Sequence, residues 1–359
     1  MIPVLRPSIS EKEIANVIEV LRSGWLGEGP YVHAFEQALA KRYGVEHCVA
    51  VNSCTAALHL ALLSHGIGPG DEVVVPALTF ASTALAVVYC GAKPVFEDVD
   101  PETLCLSLDQ TYWTWRHREA KAAIFVDYAG FPAASGHINQ FRRYTPPIVI
   151  QDAAHSCGGI AYGDSVCLSF HPVKNLATGD GGAILLNDDA RAERLRALRW
   201  CGIDRSTWQR TGKKYSWDYD IAEVGYKCHW NDVQAAIGLA QLDRLTEMNA
   251  RRRQIAERYT AELSGIVQTP ADHPAHTWHL YPIRVDAEKR DALLDYLAGK
   301  DISAGVHYKP LTHYPMFSDQ PTPSVTEREW RRLVSLPIFP DLADGEQERV
   351  ITAVKEFCG

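Results

Sequence analysis

A run of short, continuously apolar stretches between Cys48 and Leu186 limits the fold more than any other feature of this chain. They lie at 48–51, 73–76, 94–99, 123–127, 147–151, 166–170 and 183–186, several rich in Val and Ile without apolar/polar alternation. Strands with one wet face alternate; strands covered on both faces do not. Helical or loop segments separate the stretches. The pattern predicts an α/β domain with a mostly parallel central sheet flanked by helices. Such sheets bind ligands beyond the carboxyl ends of their strands, so the residues just after each stretch are where chemistry is expected.

At 359 residues the chain exceeds what one small core organises. A long helical pattern starts near 232 and runs through Ala235, Ile237, Leu239, Leu242 and Leu245 to Tyr259, as a connector would. A large domain over 1–245 and a smaller C-terminal α+β domain over 246–359 are expected. The second has strand-like 279–285, helix-like 289–299, the segment Ile302 to Tyr308, and a final helix near 344–357. At the front, Ile14, Val17, Ile18 and Leu21 recur at helical spacing behind a capping box of Ser10 and Glu13. Gly24-Trp-Leu-Gly-Glu-Gly-Pro30 follows as an irregular loop.

Composition and motif spacing exclude several classes of function. The formal charge of −8 lacks the basic face that nucleic acid demands. Nine cysteines stand singly with no CxxC, which suits reduced thiols better than disulfides or zinc. The histidines show no HExxH spacing, so no metal centre is expected. No apolar run reaches membrane-spanning length, and Met-Ile-Pro-Val-Leu-Arg-Pro7 does not read as a signal peptide; a cytoplasmic location and no membrane partner are expected. No GxGxxG follows the first strand, against a nicotinamide oxidoreductase.

The positions after the strands hold a distinctive set. Asn52-Ser-Cys-Thr-Ala-Ala-Leu58 opens a helix ending near His65, whose early amides, at Thr55 and Ala56, can bind phosphate. Phe80 follows the second strand, Asp152 and His155 the fifth, and Ser169 ends the sixth. Lys174 sits five residues further on, before Gly179, Gly181 and Gly182. Taken singly, each has a plainer reading: helix cap for Asp152, structural histidine for His155, core packing for Phe80, surface charge for Lys174. Taken together they match what pyridoxal 5′-phosphate (PLP) needs, namely an imine-forming lysine, a carboxylate at the pyridine nitrogen, a phosphate cradle and a ring partner.

The same segments resemble the DegT-type (fold type I) sugar aminotransferases along essentially the whole chain. The matching pieces, in order, include Ser23–Pro30, Asn52–Leu58, Gly66-Ile-Gly-Pro-Gly-Asp-Glu-Val73, Thr79-Phe80, Gly91–Phe96 and Gln151-Asp-Ala-Ala-His155. Ser169-Phe-His-Pro-Val-Lys174, Gly225-Tyr-Lys227, Gln234–Leu242 and Val306-His-Tyr-Lys-Pro-Leu311 follow. The resemblance implies a PLP-dependent aminotransferase of fold type I. Lys174 would hold the cofactor covalently and move the proton, with Asp152 at the ring nitrogen, His155 against the ring and Phe80 stacked on it. Thr55, Ala56 and Ser169 would bind its phosphate. A side chain of Gly225–Asn231 would reach the neighbouring subunit's phosphate in a homodimer with shared active sites, with Lys227 and His229 standing where the family usually shows Asn or Arg, and Asn231 coming two residues late. Leu26, Gly27, Glu28 and Gly29 (from the 1–30 segment) and His307, Tyr308 and Lys309 would bind a nucleotide-linked sugar.

The implied reaction is ping-pong transfer of an amino group from an amino acid, glutamate, to a nucleotide-linked 4-keto sugar for cell-surface polysaccharide such as lipopolysaccharide. The alternatives are a transaminase of a non-nucleotide keto substrate and a non-catalytic regulator on the same scaffold. A sugar 3-dehydratase of this fold would carry histidine where Lys174 stands. The interval from Asp152 to Lys174 is short for the family, with Gly158–Gly163 trimmed.

Overall fold

A computed structural model of the protein describes residues 1–107, 111, 114, 118–133, 148–203 and 217–359. Seven strands form one sheet: β1 (His47–Val51), β2 (Glu72–Pro76), β3 (Lys93–Glu97), β4 (Ala122–Val126), β5 (Ile148–Asp152), β6 (Ser165–Ser169) and β7 (Gly182–Leu186). Their order is β1-β7-β6-β5-β4-β2-β3. Strands β3, β2, β4, β5 and β6 run parallel, while β7 is antiparallel to both of its neighbours. Every expected stretch is a strand to within about two residues; Pro147, at the edge of one, lies outside the described residues. β4, β6 and β7 are buried along their whole length, which is why they carry no alternation.

Helices cover the sheet: α1 (Glu11–Ser23), α2 (Pro30–Tyr43), α3 (Cys54–Ser64), α4 (Ala81–Tyr89) and α5 (Asp189–Leu198). α6 (Asp232–Leu263) then runs unbroken through the expected boundary at 245/246. Its first half, with Ala235 and Leu245, packs on the sheet; its second half, with Ile255, Tyr259 and Leu263, packs on a separate C-terminal core. That core holds the antiparallel pair β8 (Tyr281–Arg284) and β9 (Leu333–Leu336). Around it lie α7 (Arg290–Gly299), α8 (Ser324–Trp330) and α9 (Asp344–Cys358). The segment 302–308 forms only isolated bridges, Ile302 to Ile2 and Gly305 to Ser335, so the N-terminus joins the C-terminal core.

The capping box expected at Ser10 and Glu13 starts α1, but the helix lies the other way round from a core helix. Ile14, Ile18 and Leu21 are 47%, 42% and 54% exposed, while Glu13 and Val20 are buried. Glu13 faces inward because Gln241 and Arg244 of α6 donate to its carboxylate at 2.6 and 3.0 Å. All nine cysteines are free thiols. Among the described residues no helix is long and apolar enough to cross a membrane.

Candidate active site

Asp152 and Ser169 are the last residues of the parallel neighbours β5 and β6, which fixes both at the carboxyl edge of the sheet. Lys174 stands on the loop that leaves β6, and this loop is pinned at several points. Phe170 N–H bonds the Gly181 carbonyl at 2.9 Å, Thr178 N–H bonds the Phe170 carbonyl at 2.9 Å and Lys174 N–H bonds the His171 carbonyl at 2.9 Å. Next to Lys174, the buried Asn175 amide donates to the Thr277 carbonyl at 2.8 Å and to Asn249 of α6 at 2.9 Å. Gly181 and Gly182 are needed here, but for packing rather than for a ligand. A Cβ on Gly182 would lie 2.6 Å from the Ser53 carbonyl carbon, and one on Gly181 would lie 2.7 Å from the Trp230 indole nitrogen. Their bareness lets the start of α3 sit directly on β7.

The Lys174 residue is partly open to solvent, yet its amine is enclosed. Burial brings it down from the ordinary lysine value of 10.5 to about 8, against the opposing pull of Cys54 and Asp152. At pH 7 about a tenth of such an amine is neutral, compared with well under a thousandth of an ordinary lysine. The apoprotein should therefore take up PLP at a rate that rises with pH to a plateau, with a midpoint near pH 8 and not near 10.5. Stopped-flow absorbance across a pH series measures this directly.

Asp152 is buried; burial pushes its carboxyl up, opposed by hydrogen bonds from Thr83 and Ala154 and by Lys174. His155 is fixed more tightly than its sequence position suggests. Its Nδ1 accepts the Ala129 N–H at 3.2 Å, and its Nε2 meets the Tyr308 hydroxyl at 3.1 Å. An Nδ1 that accepts carries no proton, so the ring is neutral and Nε2–H donates to Tyr308. Burial, then Lys174, holds this histidine well below its ordinary value. Ala129 makes the contact in a left-handed conformation (φ 57°), which costs a non-glycine residue roughly 1–2 kcal/mol. Its carbonyl in turn accepts the His279 N–H at 2.8 Å. The His279 ring lies 4.3 Å from the His155 ring, centroid to centroid. Tyr128 donates to the His307 carbonyl, and the Lys174 charge also lowers His155, His279 and His307, behind burial in each case.

The phosphate candidates lie around the start of α3. Ser53 caps the helix, and its hydroxyl takes the Ala56 N–H at 3.1 Å, so this amide is already engaged. The Thr55 hydroxyl pairs with Ser82 at 2.7 Å. The Cys54 and Thr55 amides, like all first-turn amides, have no acceptor within the helix. Ser169 is 5% exposed, and its hydroxyl accepts the His171 N–H at 3.4 Å. Phe80 is not core: it is 58% exposed at the start of α4, with its ring 5.9 Å from that of Tyr308.

The expected substrate residues separate into two places. Tyr308 and Lys309 line a cleft of about 360 Å³ with Thr79, Phe80, Arg290 and Trp330. The Lys309 ammonium lies 4.9 Å from the Tyr314 ring, and Arg290 lies 5.4 Å from that of Trp330. Leu26, Gly27 and Glu28 instead line a second cleft of about 240 Å³ with Trp25, Trp200 and His229. The Glu28 carboxylate is spent on Arg199 at 2.7 Å, and Arg199 also holds Glu36 at 2.6 Å, all three buried. Burial alone would raise Glu36, but Arg199 and the Ala50 N–H hold it down to about 2. Arg199→Met would leave Glu28 without its buried cation and Glu36 with only His33 and the Ala50 N–H, and should cost about 3–5 kcal/mol in denaturant unfolding. Gly29 is confined by the Trp25 indole and Asp232.

Asn231 is employed within its own chain. It caps α6, accepting the Gln234 N–H at 3.0 Å and donating to the Gln234 side chain at 2.7 Å. His229 lies edge-on to Trp200, 4.2 Å between centroids, and its Nδ1 is buried without a partner among the described residues. The Lys227 ammonium stands 3.4 Å over the Trp200 ring. Sequence reasoning missed His279, Ala129, Tyr128, Asn175 and Thr83. Only His279 carried a signal, standing in the histidine- and aromatic-rich run His276-Thr-Trp-His-Leu-Tyr281.

The model of the DegT/DnrJ/EryC1/StrS aminotransferase family matches residues 7–355. The spore coat polysaccharide biosynthesis protein SpsC of Bacillus subtilis (strain 168) is 37% identical, over 99% of this chain and 97% of its own length. Among solved structures, the putative sugar aminotransferase Spr1654 of Streptococcus pneumoniae in its PMP form superposes with a TM-score of 0.93. It is 28% identical, over 100% of this chain and 99% of that one. Its PLP form superposes with a TM-score of 0.90. The aminotransferase TlmJ of Streptoalloteichus hindustanus is 34% identical over 99% of this chain and 98% of that one, with a TM-score of 0.91.

Proposed function

The chain belongs to the DegT/DnrJ/EryC1/StrS aminotransferase family and is a PLP-dependent transaminase of fold type I, and we propose that it aminates a nucleotide-linked keto sugar. The donor is an amino acid, glutamate, the acceptor a 4-keto sugar, and the product an aminosugar for cell-surface polysaccharide. The observation that carries this reading is the cleft beside Phe80, where Lys309 offers positive charge and Tyr308, Tyr314 and Trp330 offer aromatic walls; Arg290 also lines it, but its charge is met by Asp291 on the same wall. Cations suit a diphosphate, and aromatic faces suit a base or a pyranose ring. Similarity to a spore coat polysaccharide biosynthesis protein and to a putative sugar aminotransferase supports a sugar acceptor.

The residues fit the cofactor. Lys174 offers an amine with a usable neutral fraction, Asp152 a buried carboxylate, and Phe80 an uncovered ring at the site edge. The start of α3, with Thr55 and Ser169, offers phosphate donors. PLP, when bound, supplies the electron sink that acidifies the carbon bearing the amine. Lys174 Nζ then takes that proton and returns it, its low basicity making both transfers accessible near neutral pH. Asp152 holds the ring nitrogen protonated. His155, locked by Ala129 and Tyr308, presents a neutral ring that adds no charge against it, and Lys309 orients the acceptor.

A homodimer is part of this proposal. The outward stripe of Ile14, Ile18 and Leu21 on α1 is apolar surface that a second copy would cover. The second cleft, with Leu26 and His229, lies apart from the Phe80 cleft, as expected if it closes over the partner's site. In that arrangement Lys227 and His229 are the candidates to reach across, since Asn231 is committed to its helix cap. Purified enzyme offered UDP-, dTDP- and GDP-linked 4-keto and 3-keto sugars should consume glutamate with at least one of the 4-keto sugars. Amination of small keto acids or cyclitols alone would leave a transaminase but reject the nucleotide-sugar acceptor.

A further inference from the structure

One oxygen of Asp152, Oδ2, accepts from the Thr83 hydroxyl at 2.8 Å, and Thr83 pairs in turn with the Thr79 hydroxyl at 2.9 Å. All three residues are closed off from solvent: Thr83 is 0% exposed, Thr79 1% and Asp152 4%. A hydroxyl carries one proton, and an ionised carboxylate only accepts. The Thr83 proton is therefore committed to Asp152, and Thr79 must donate to Thr83. The chain has a single polarity, from Thr79 through Thr83 to Asp152. Hydrogen-bond chains of one polarity strengthen one another where the dielectric is low.

Two observations tie this chain to Asp152 rather than to the helix that carries it. Thr83 is the third residue of α4, and its backbone N–H already bonds the Phe80 carbonyl at 3.2 Å, so the hydroxyl is not spent on capping. Among the described residues the other Asp152 oxygen, Oδ1, receives only the Ala154 N–H at 3.2 Å and the long Cys54 thiol contact at 4.0 Å. The Thr83 hydroxyl is thus the shortest hydrogen bond offered to a carboxylate that burial works to neutralise. Thr79 also borders the cleft beside Phe80, so the chain runs from the acceptor side of the site to the carboxylate.

We propose that Thr83, backed by Thr79, is the positioning residue that keeps Asp152 ionised and aimed at the ring nitrogen of the cofactor. The proposal rests on the assignment of Asp152 to that nitrogen. The test loads wild type, Thr83→Val, Thr83→Ser and Asp152→Asn with PLP isotope-labelled at the ring nitrogen, whose NMR shift reports protonation. Thr83→Val keeps the branched shape and loses the donor. Its ring nitrogen should move toward the unprotonated shift, and cofactor affinity should fall about ten- to a hundredfold. Thr83→Ser should restore both, which a purely packing role for the threonine would not predict.

A Thr83→Val holoprotein with wild-type nitrogen shift and affinity overturns the proposal. If Asp152→Asn also leaves the shift unchanged, the assignment of Asp152 falls with it; if Asp152→Asn alone moves it, only the role of Thr83 is lost. Should Thr83→Val not fold, Thr79→Val breaks the chain one step further out. A smaller displacement in the same direction is expected there, and no displacement overturns the proposal.

Discussion

Lys174→Ala should abolish transamination, lowering kcat by about 10⁴-fold or more, because one side chain is both the covalent anchor and the base. The variant should keep its fold. Removing an amine that burial drives down to about 8 relieves a desolvation cost, and the loop around it is held by Asn175 and Thr178 rather than by the lysine. The apoprotein should therefore unfold at the wild-type temperature or slightly above it. The phosphate cradle and Asp152 are untouched, so pyridoxamine phosphate should still bind, while the visible band of lysine-linked PLP is lost. A single-turnover assay with preloaded pyridoxamine phosphate separates the two roles. Binding without turnover is expected, and restored turnover would mean that another base acts.

Asp152→Asn should be nearly as damaging, with kcat lower by about a hundred- to several-thousandfold, the range expected when one partner of a buried charge pair is removed. Asparagine cannot keep the ring nitrogen protonated. In the apoprotein the same change should be neutral or stabilising, because burial already works against the carboxylate. Thermal unfolding with and without PLP distinguishes these effects. The wild type should gain more stability from the cofactor than the variant does, by roughly RT times the logarithm of the ratio of their affinities. Equal gains would mean that the carboxylate does not pair with the cofactor.

The sheet was legible because its strands are buried on both faces, and Val73–Val75 or Ile148–Ile150 can satisfy that burial only as continuous apolar runs. Lys174, Asp152, Ser169 and the start of α3 were legible for the same reason, since each follows directly from a strand end. What the sequence concealed depends on contacts between distant segments. Ile14, Ile18 and Leu21 mark an apolar face of α1, yet periodicity does not say which neighbour covers it; the inward place of Glu13 comes from Gln241 and Arg244 far along the chain. Glu28 stands in a segment associated with substrate, but its carboxylate answers to Arg199.

The surroundings of His155 were hidden more deeply. Its proton is placed by the Ala129 N–H, and Ala129 is not a glycine, so nothing in its type announces a left-handed turn. Thr83 carries no signal in the sequence, and only the meeting of α4 with the end of β5 makes it a donor to Asp152. Glycine at 181 and 182 allows close backbone approach but does not say of what; the neighbours are the Ser53 backbone and the Trp230 ring.

The most direct measurement of the central claim is chemical. Holoprotein reduced with borohydride fixes the cofactor to the lysine that holds it, and peptide mass mapping then locates the pyridoxyl group. The group is expected on the peptide bearing Lys174 and absent from the Lys174→Ala protein. A label on another lysine, or none in a preparation saturated with PLP, would contradict the site described for this chain.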